Sequence, residues 1–379
     1  MTQVADIVTF LDQFAPPELA EAWDNVGLLW GDPTTSIKAV MTCLTVTART
    51  AQEAIAEGAG LIVSHHPVLF RGAKQVRADR PEGATLWSLA RAGVAIASPH
   101  TAFDNTAGGV NDSLATRFGL VDVGPLRQGD PVSQCKVVVF TPPRDRQAVL
   151  DAAFLAGAGR IGLYEECSFT SAGQGTFFGT EGTDPTIGQK GRRERVREWR
   201  VELISPLGRV KSVLNAIRDA HSYEEPAIDV YPLQRTSSGP GTGRVGRLPT
   251  PTSLGSFARH VAQTLSARGL QFVGPADRRV ERVAIACGAG DDFLLDACRT
   301  GADVLVTGEA RFHRGLEAEG LGVGLIVAGH HATERPGVED LAVRLEGAFP
   351  ELLVWASRVE SDPFQVTGAQ EKAPGPPGA

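Results

Sequence analysis

The sequence predicts an α/β protein in which two α/β halves are separated by an inserted α+β domain of ferredoxin-like order. Two observations predict it. Short apolar runs read as buried strands, among them residues 38–45 (KAVMTCLT), 61–64 (LIVS), 304–307 (VLVT) and 324–328 (GLIVA), and they alternate with segments whose apolar residues recur at helical spacing. That alternation builds a mainly parallel sheet covered by helices, with a site expected at the strand ends. The block at residues 131–236 has a different texture, reading as strand, helix, strand, strand, helix, strand.

The elements follow in order. Residues 1–130 make the first half: a helix over 4–14 ended by Pro16 and Pro17, strands at 38–45 and 61–64 around an alanine-rich helix at 48–57, then a helix at 85–92 and a strand at 94–97. Within the insert, strands at 135–141, 200–204 and 227–233 accompany helices at 145–156 and 209–220. The second half, residues 237–368, opens on a glycine-rich turn at 239–246 (GPGTGRVG). It continues through a helix at 253–267, a strand at 280–287, a helix at 291–300, the strand at 304–307, a helix at 314–319, the strand at 324–328 and a long helix over 332–346. Residues 369–379 are rich in proline and glycine with little to bury, so a disordered tail is expected.

Composition narrows the class. With 379 residues and 42% hydrophobic content, the chain is long enough for two or three domains with cores of their own. A formal charge of -7 offers no general attraction to a phosphate backbone, so nucleic acid is not an expected partner. The arginines at 190–200 are interleaved with Glu194 and Glu198 and read as a solvated face. Apolar runs fall well short of the ~20 residues of a membrane helix, and the start of the chain lacks a basic flank leading into an apolar core, so no membrane span is expected and the cytoplasm is the expected compartment. The five cysteines form no CxxC pair and are expected to be buried, reduced thiols.

Histidine placement carries the chemistry. His65 and His66 follow the strand at 61–64, and Pro67 prevents it from continuing; the strand at 94–97 delivers His100, with Asp104 four residues on; the strand at 324–328 delivers His330 and His331, with Glu334. Five of the eight histidines thus sit at three predicted strand ends, two of which also supply a carboxylate. If a helix begins at His330, its imidazole and the Glu334 carboxylate share one face, as a chelate requires. Imidazole and carboxylate without thiolate suit Zn, Mn, Fe or Co more than Ca or Mg. Three imidazoles and two carboxylates exceed what one catalytic ion with an open position takes, and fit two divalent ions with a metal-bound water as nucleophile.

The phrases AWDNVGLLWGD at 22–32, VSHHPVLFRG at 63–72, HTAFDNTAGGVND at 100–112, TGEARFH at 307–313 and GHHATE at 329–334 closely resemble the Nif-three-like family of type-two GTP cyclohydrolase I homologues. GAGRIGLYEECSF at 157–169 and HSYEEPAIDVYPL at 221–233 resemble the insert of its longer bacterial members, which is similar to PII and CutA-like modules. The resemblance implies metal binding by His65, His66, Asp104, His330 and Glu334, and a homo-oligomer, a hexamer, with metal sites facing an internal cavity. Glu334 is the natural bridge, leaving open which of His65 and His66 joins Asp104 and which joins His330. His100, His313 and Glu309, with Asp24, are candidates for orienting a ligand or shuttling a proton. Arg71 and Lys74 are weaker candidates for a substrate phosphate.

Three features point away from function. The GxGxxG match at 157–162 follows a helix and reads as a turn; the CGAG turn at 287–290, before Asp291 and Asp292, reads as helix capping; and His221, Glu224 and Glu225 read as packing in preference to an accessory cation site. Two functions follow: a metal-dependent hydrolase on a nucleotide or related heterocycle, or a non-enzymatic metal-binding or regulatory assembly protein with a small-molecule-sensing insert.

Overall fold

The computed structural model describes residues 1–72, 75–128, 134–161, 164–233 and 241–366; Lys74, Gly162, Gly239 and the tail at 369–379 lie outside them. Two compact units emerge, Met1–Gly129 with Ser238–Ala379, and Asp130–Ser237.

The first unit holds two sheets. One has the strand order Gly27–Trp30, Ala95–Ser98, Leu61–Ser64, Ala39–Cys43, Leu353–Ala356 among the described residues, parallel except for the antiparallel Gly27–Trp30 edge. The other runs Gln271–Val273, Gly324–Val327, Val304–Thr307, Arg279–Ala286, Arg244–Ser253, Val121–Gly124, with a parallel centre of three strands and antiparallel flanks. Each half of the sequence therefore lends an edge strand to the other's sheet. Helix His330–Ala348 starts beside the second sheet, yet buries Leu341 and Leu345 in the core of the first, among Val4, Ile7, Val40 and Phe103. Each such aliphatic burial is worth roughly 1.5–3 kcal/mol. That helix spans both layers, which is how residues far apart in sequence reach one place.

Several boundaries differ from the sequence expectation. The glycine-rich turn is instead strand at Gly241–Thr242 and Arg244–Ser253, because Val245 and Leu248 are buried while Gly243, at φ +65°, alone makes the bend. The helix expected at 85–92 begins a turn earlier, at Pro81, where proline's missing N–H costs nothing. Gly290 is the N-cap of the short helix Asp291–Phe293, with Asp291 and Asp292 in its first turn, but neither carboxylate makes a capping hydrogen bond: Arg311 takes Asp291, and Arg311 with Arg314 takes Asp292. Not every cysteine is buried; Cys43 and Cys135 are, whereas Cys167, Cys287 and Cys298 are partly exposed, and all five are free thiols. No helix among the described residues is long and apolar enough to cross a membrane.

The second unit is an antiparallel sheet in the order Ile228–Pro232, Gln134–Thr141, Arg193–Pro206, Ser168–Phe178. Helices Arg146–Leu155 and Val210–Ala220 pack Val149, Ala153, Val213 and Ile217 against Val137, Val139, Val201 and Leu203. Along the chain this is strand, helix, strand, strand, helix, strand. Gly157 and Gly159, at φ +94° and +82°, close the first helix in a turn. His221 engages both ring nitrogens with backbone, Nε2 donating to Phe140 O at 3.0 Å and Nδ1 accepting from Tyr223 N at 3.0 Å, which is a packing role. In the arginine-rich stretch, Arg192 and Arg200 pair with Glu194 and Glu202.

Glu53 ties helix Ala48–Ala56 to the end of the last strand, accepting from Trp355 Nε1 at 3.3 Å, Ser357 Oγ at 2.5 Å and Arg358 N at 2.8 Å. Burial pushes its carboxyl up, but these hydrogen bonds outweigh burial and hold it below the ordinary 4.5. The unfolded chain therefore takes up this proton first, so the stabilisation is complete above that value and is lost as pH falls through the folded one. Urea titrations from about pH 5 to about pH 3 should show stability falling in the native protein and a shallower fall in Glu53→Gln. Equal slopes would show that the clamp contributes nothing.

Candidate metal centre

Three strand ends build the site. After Leu61–Ser64 the ladder continues through His65 N to Cys43 O at 2.9 Å and His66 N to Leu44 O at 2.8 Å, and the chain turns at Pro67. After Ala95–Ser98, helix His100–Asn105 starts with His100 at φ +26°, a strained value for a residue bearing a side chain, and places Asp104 one turn on. After Gly324–Val327, Gly329 at φ +102° turns the chain into helix His330–Ala348, so His330 and Glu334 share a face.

The side chains converge on Glu334. Its Oε2 lies 3.0 Å from both His66 Nε2 and His330 Nε2, which are themselves 3.3 Å apart. Its Oε1 faces His65 Nε2 at 3.8 Å, and the same nitrogen faces Asp104 Oδ1 at 3.6 Å. Both distances exceed a hydrogen bond. His65 is 2% exposed, and neither ring nitrogen has a hydrogen-bond partner. Leaving such a group unsatisfied costs roughly 1–3 kcal/mol, which a cation taken up by His65 would relieve. The outer nitrogens of the other two rings are fixed: His66 Nδ1 meets Thr45 Oγ1 at 2.8 Å, and His330 Nδ1 meets Glu309 Oε1 at 2.8 Å. With Nδ1 so engaged, each Nε2 lone pair is left for a cation.

Electrostatics agree with the donor set. Burial pushes the Asp104 carboxyl up, partly offset by His65. Burial also raises the Glu334 carboxyl, but His65, His330 and His66 outweigh it and hold it well below the carboxylate range. His65 is depressed by burial and raised more by Asp104 and Glu334; His66, chiefly buried, is lowered; His330, despite burial, is raised to about 9 by Glu334 and Glu309. The carboxylates demand positive charge here, and imidazole protons supply it; divalent cations can replace those protons.

Among the residues expected from sequence, His66, His330 and Glu334 offer ligand atoms all within 4.8 Å of one another, as do His65, His66 and His100. Asp104 approaches through His65, and Cys287 donates its thiol to Asp104 Oδ1 at 3.2 Å. His100 Nδ1 is held by Asp24 Oδ1 at 2.7 Å; burial raises the Asp24 carboxyl, but hydrogen bonds from His100 and Thr101 bring it down to about 2. His313 is not brought to the cluster: it is exposed, its ring against Phe312. Arg71 is exposed. Sequence reasoning missed Thr45, Cys287 and Gly288. Gly288 has φ +58°, and a Cβ there would stand 2.1 Å from Glu334 Oε1, so only glycine leaves the carboxylate its place. The one signal was the CGAG stretch, in which Gly288 serves the site while Gly290 caps the helix that follows.

Known proteins resemble this chain over most of its length. Residues 2–363 match the family described as Duf34/NIF3 (NGG1p interacting factor 3). A Mycobacterium tuberculosis protein named GTP cyclohydrolase 1 type 2 homolog is 37% identical over 372 residues, covering 96% of this chain and 97% of its own. One of the same name from Bacillus subtilis is 38% identical over 328 residues, covering 86% and 87%. The crystal structure of a Bacillus cereus protein related to NIF3 superposes with a TM-score of 0.71 at 35% identity, covering 96% of this chain and 99% of that one. For a Staphylococcus aureus crystal structure the TM-score is 0.75 at 29% identity, with the same coverage. The chain belongs to the DUF34/NIF3 family.

Proposed function

We propose that this chain binds two divalent metal ions and hydrolyses a nucleotide or related heterocycle. The observation that carries the reading is that the two oxygens of buried Glu334 face different histidines, Oε1 toward His65 and Oε2 toward His66 and His330. His65, Asp104 and Glu334 Oε1 would hold one ion; His66, His330 and Glu334 Oε2 would hold the other. Zn, Mn, Fe and Co all suit this donor set. When bound, such a pair supplies Lewis acidity that polarises an electrophilic carbon or phosphorus and makes water easier to deprotonate. Thr45 and Glu309 hold the His66 and His330 rings with Nε2 inward. Asp24 fixes His100 through Nδ1, so Nε2 is the nitrogen that can hold or deliver a proton beside the reacting group.

The name of the relatives supports a nucleotide substrate, GTP first. The strand order of the insert supports reading it as a PII- or CutA-like module, and the family resemblance supports a homohexamer. To test the enzymatic reading, the protein is loaded in turn with each of the four metals and assayed for nucleotide ring opening, phosphoester hydrolysis and amide hydrolysis. Metal-dependent turnover that drops to background in Glu334→Gln is expected. No turnover of any of these by metal-replete protein would overturn the enzymatic reading and favour a regulatory metal-binding protein.

A further inference from the structure

An aromatic pair beside the metal centre has no part in the ligand set. Trp23 and Phe70 remain 60% and 47% exposed, although burying such rings is normally favourable. Their centroids are 5.7 Å apart in an edge-to-face arrangement. Both also meet the His100 ring, at 6.1 Å and 6.3 Å, and His100 lies 5.2 Å from His65 and 5.6 Å from His66. Aromatic surface thus runs without a break from solvent to the cluster. It is also anchored. Asp24, next to Trp23, is held by His100 and Thr101, while Asn25 Nδ2 donates to Leu69 O at 2.7 Å, next to Phe70.

We propose that Trp23 and Phe70 form a stacking platform for the planar nitrogen heterocycle of the substrate, laying that ring beside His100 and the metal ligands. The inference rests on the reading of the centre as acting on a nucleotide or related heterocycle. Two rings are far smaller than the roughly 800 Å² per partner of a stable protein interface, and comparable to a bicyclic base. Two adjoining exposed rings that lead to the candidate ligands give a flat ligand a surface to pack on, and every base presents a π face for it. The platform selects for a flat ring over a phosphate.

The test uses full-length, metal-loaded protein and calorimetric titration with guanosine, GTP and inorganic triphosphate. Guanosine and GTP should bind, triphosphate far more weakly. Trp23→Ala and Phe70→Ala should each weaken guanosine binding about tenfold or more, the size of losing one stacked base. Trp23→Tyr should recover most of it, with metal per chain and oligomeric mass unchanged in every variant. Triphosphate binding as tightly as GTP, no guanosine binding, or equal affinity in the alanine variants would overturn the platform. A changed oligomeric mass in those variants would overturn it too, showing an interface between copies instead. Guanosine bound by protein that holds no metal would leave the platform standing and sink the metal centre.

Discussion

Gly288→Ala should cost the protein most of its bound metal while leaving the fold in place. The added Cβ would lie 2.1 Å from Glu334 Oε1 and 3.4 Å from His330 Nε2, and the backbone at φ +58° already disfavours any side chain. The backbone penalty is of order 1–3 kcal/mol, but the larger effect is on the carboxylate, which must rotate away from its three histidines. Elemental analysis after metal loading should show less than about half the native content, with a far-ultraviolet circular dichroism spectrum like that of the native chain. Native metal content in this variant would mean that Glu334 is not a ligand in the position seen.

Arg244→Met should be the most destabilising single change in the second half of the chain. The guanidinium is 5% exposed. It donates from Nε to Asp112 Oδ1 at 2.6 Å, from Nη2 to Asp112 Oδ2 at 2.9 Å and to Thr106 O at 2.7 Å, and from Nη1 to Gly241 O and Gly243 O at 2.7 Å each. Thr106 directly follows the helix that carries Asp104, so this one side chain fastens the start of strand Arg244–Ser253 to the segment that delivers a candidate ligand. Methionine takes these donors from the backbone carbonyls and from Asp112, whose side chain is 26% exposed and keeps Gly108 N as a donor, at a cost of about 3 kcal/mol. Urea denaturation at neutral pH measures it; a loss under about 1 kcal/mol would show that water replaces the guanidinium.

How much of this was legible depended on burial and on distance along the chain. The central parallel strands Leu61–Ser64 and Val304–Thr307 are buried at every position, so a run of three apolar residues before Ser64 and Thr307 marks each of them. The edges Gly27–Trp30, Val121–Gly124 and Leu353–Ala356 have four residues each and mixed exposure, too little for a period to show. Ser168–Phe178 is long but has no buried residue, so alternation never appears. Candidate ligands could be read because histidines cluster at strand ends, where parallel sheets place their sites. Their supports could not. Thr45 reaches His66 from 21 residues away, and Cys287 reaches Asp104 from 183 residues away, contacts that exist only once the sheets have formed.

Whether Glu334 holds a two-metal centre is tested most directly by metal content per chain, measured by elemental analysis on native protein and on Glu334→Ala. After loading with Zn, Mn, Fe or Co, the native chain should carry about two ions, and the variant far fewer, because Glu334 is shared between both positions. No bound metal after loading, or the same content in both proteins, would contradict the claim.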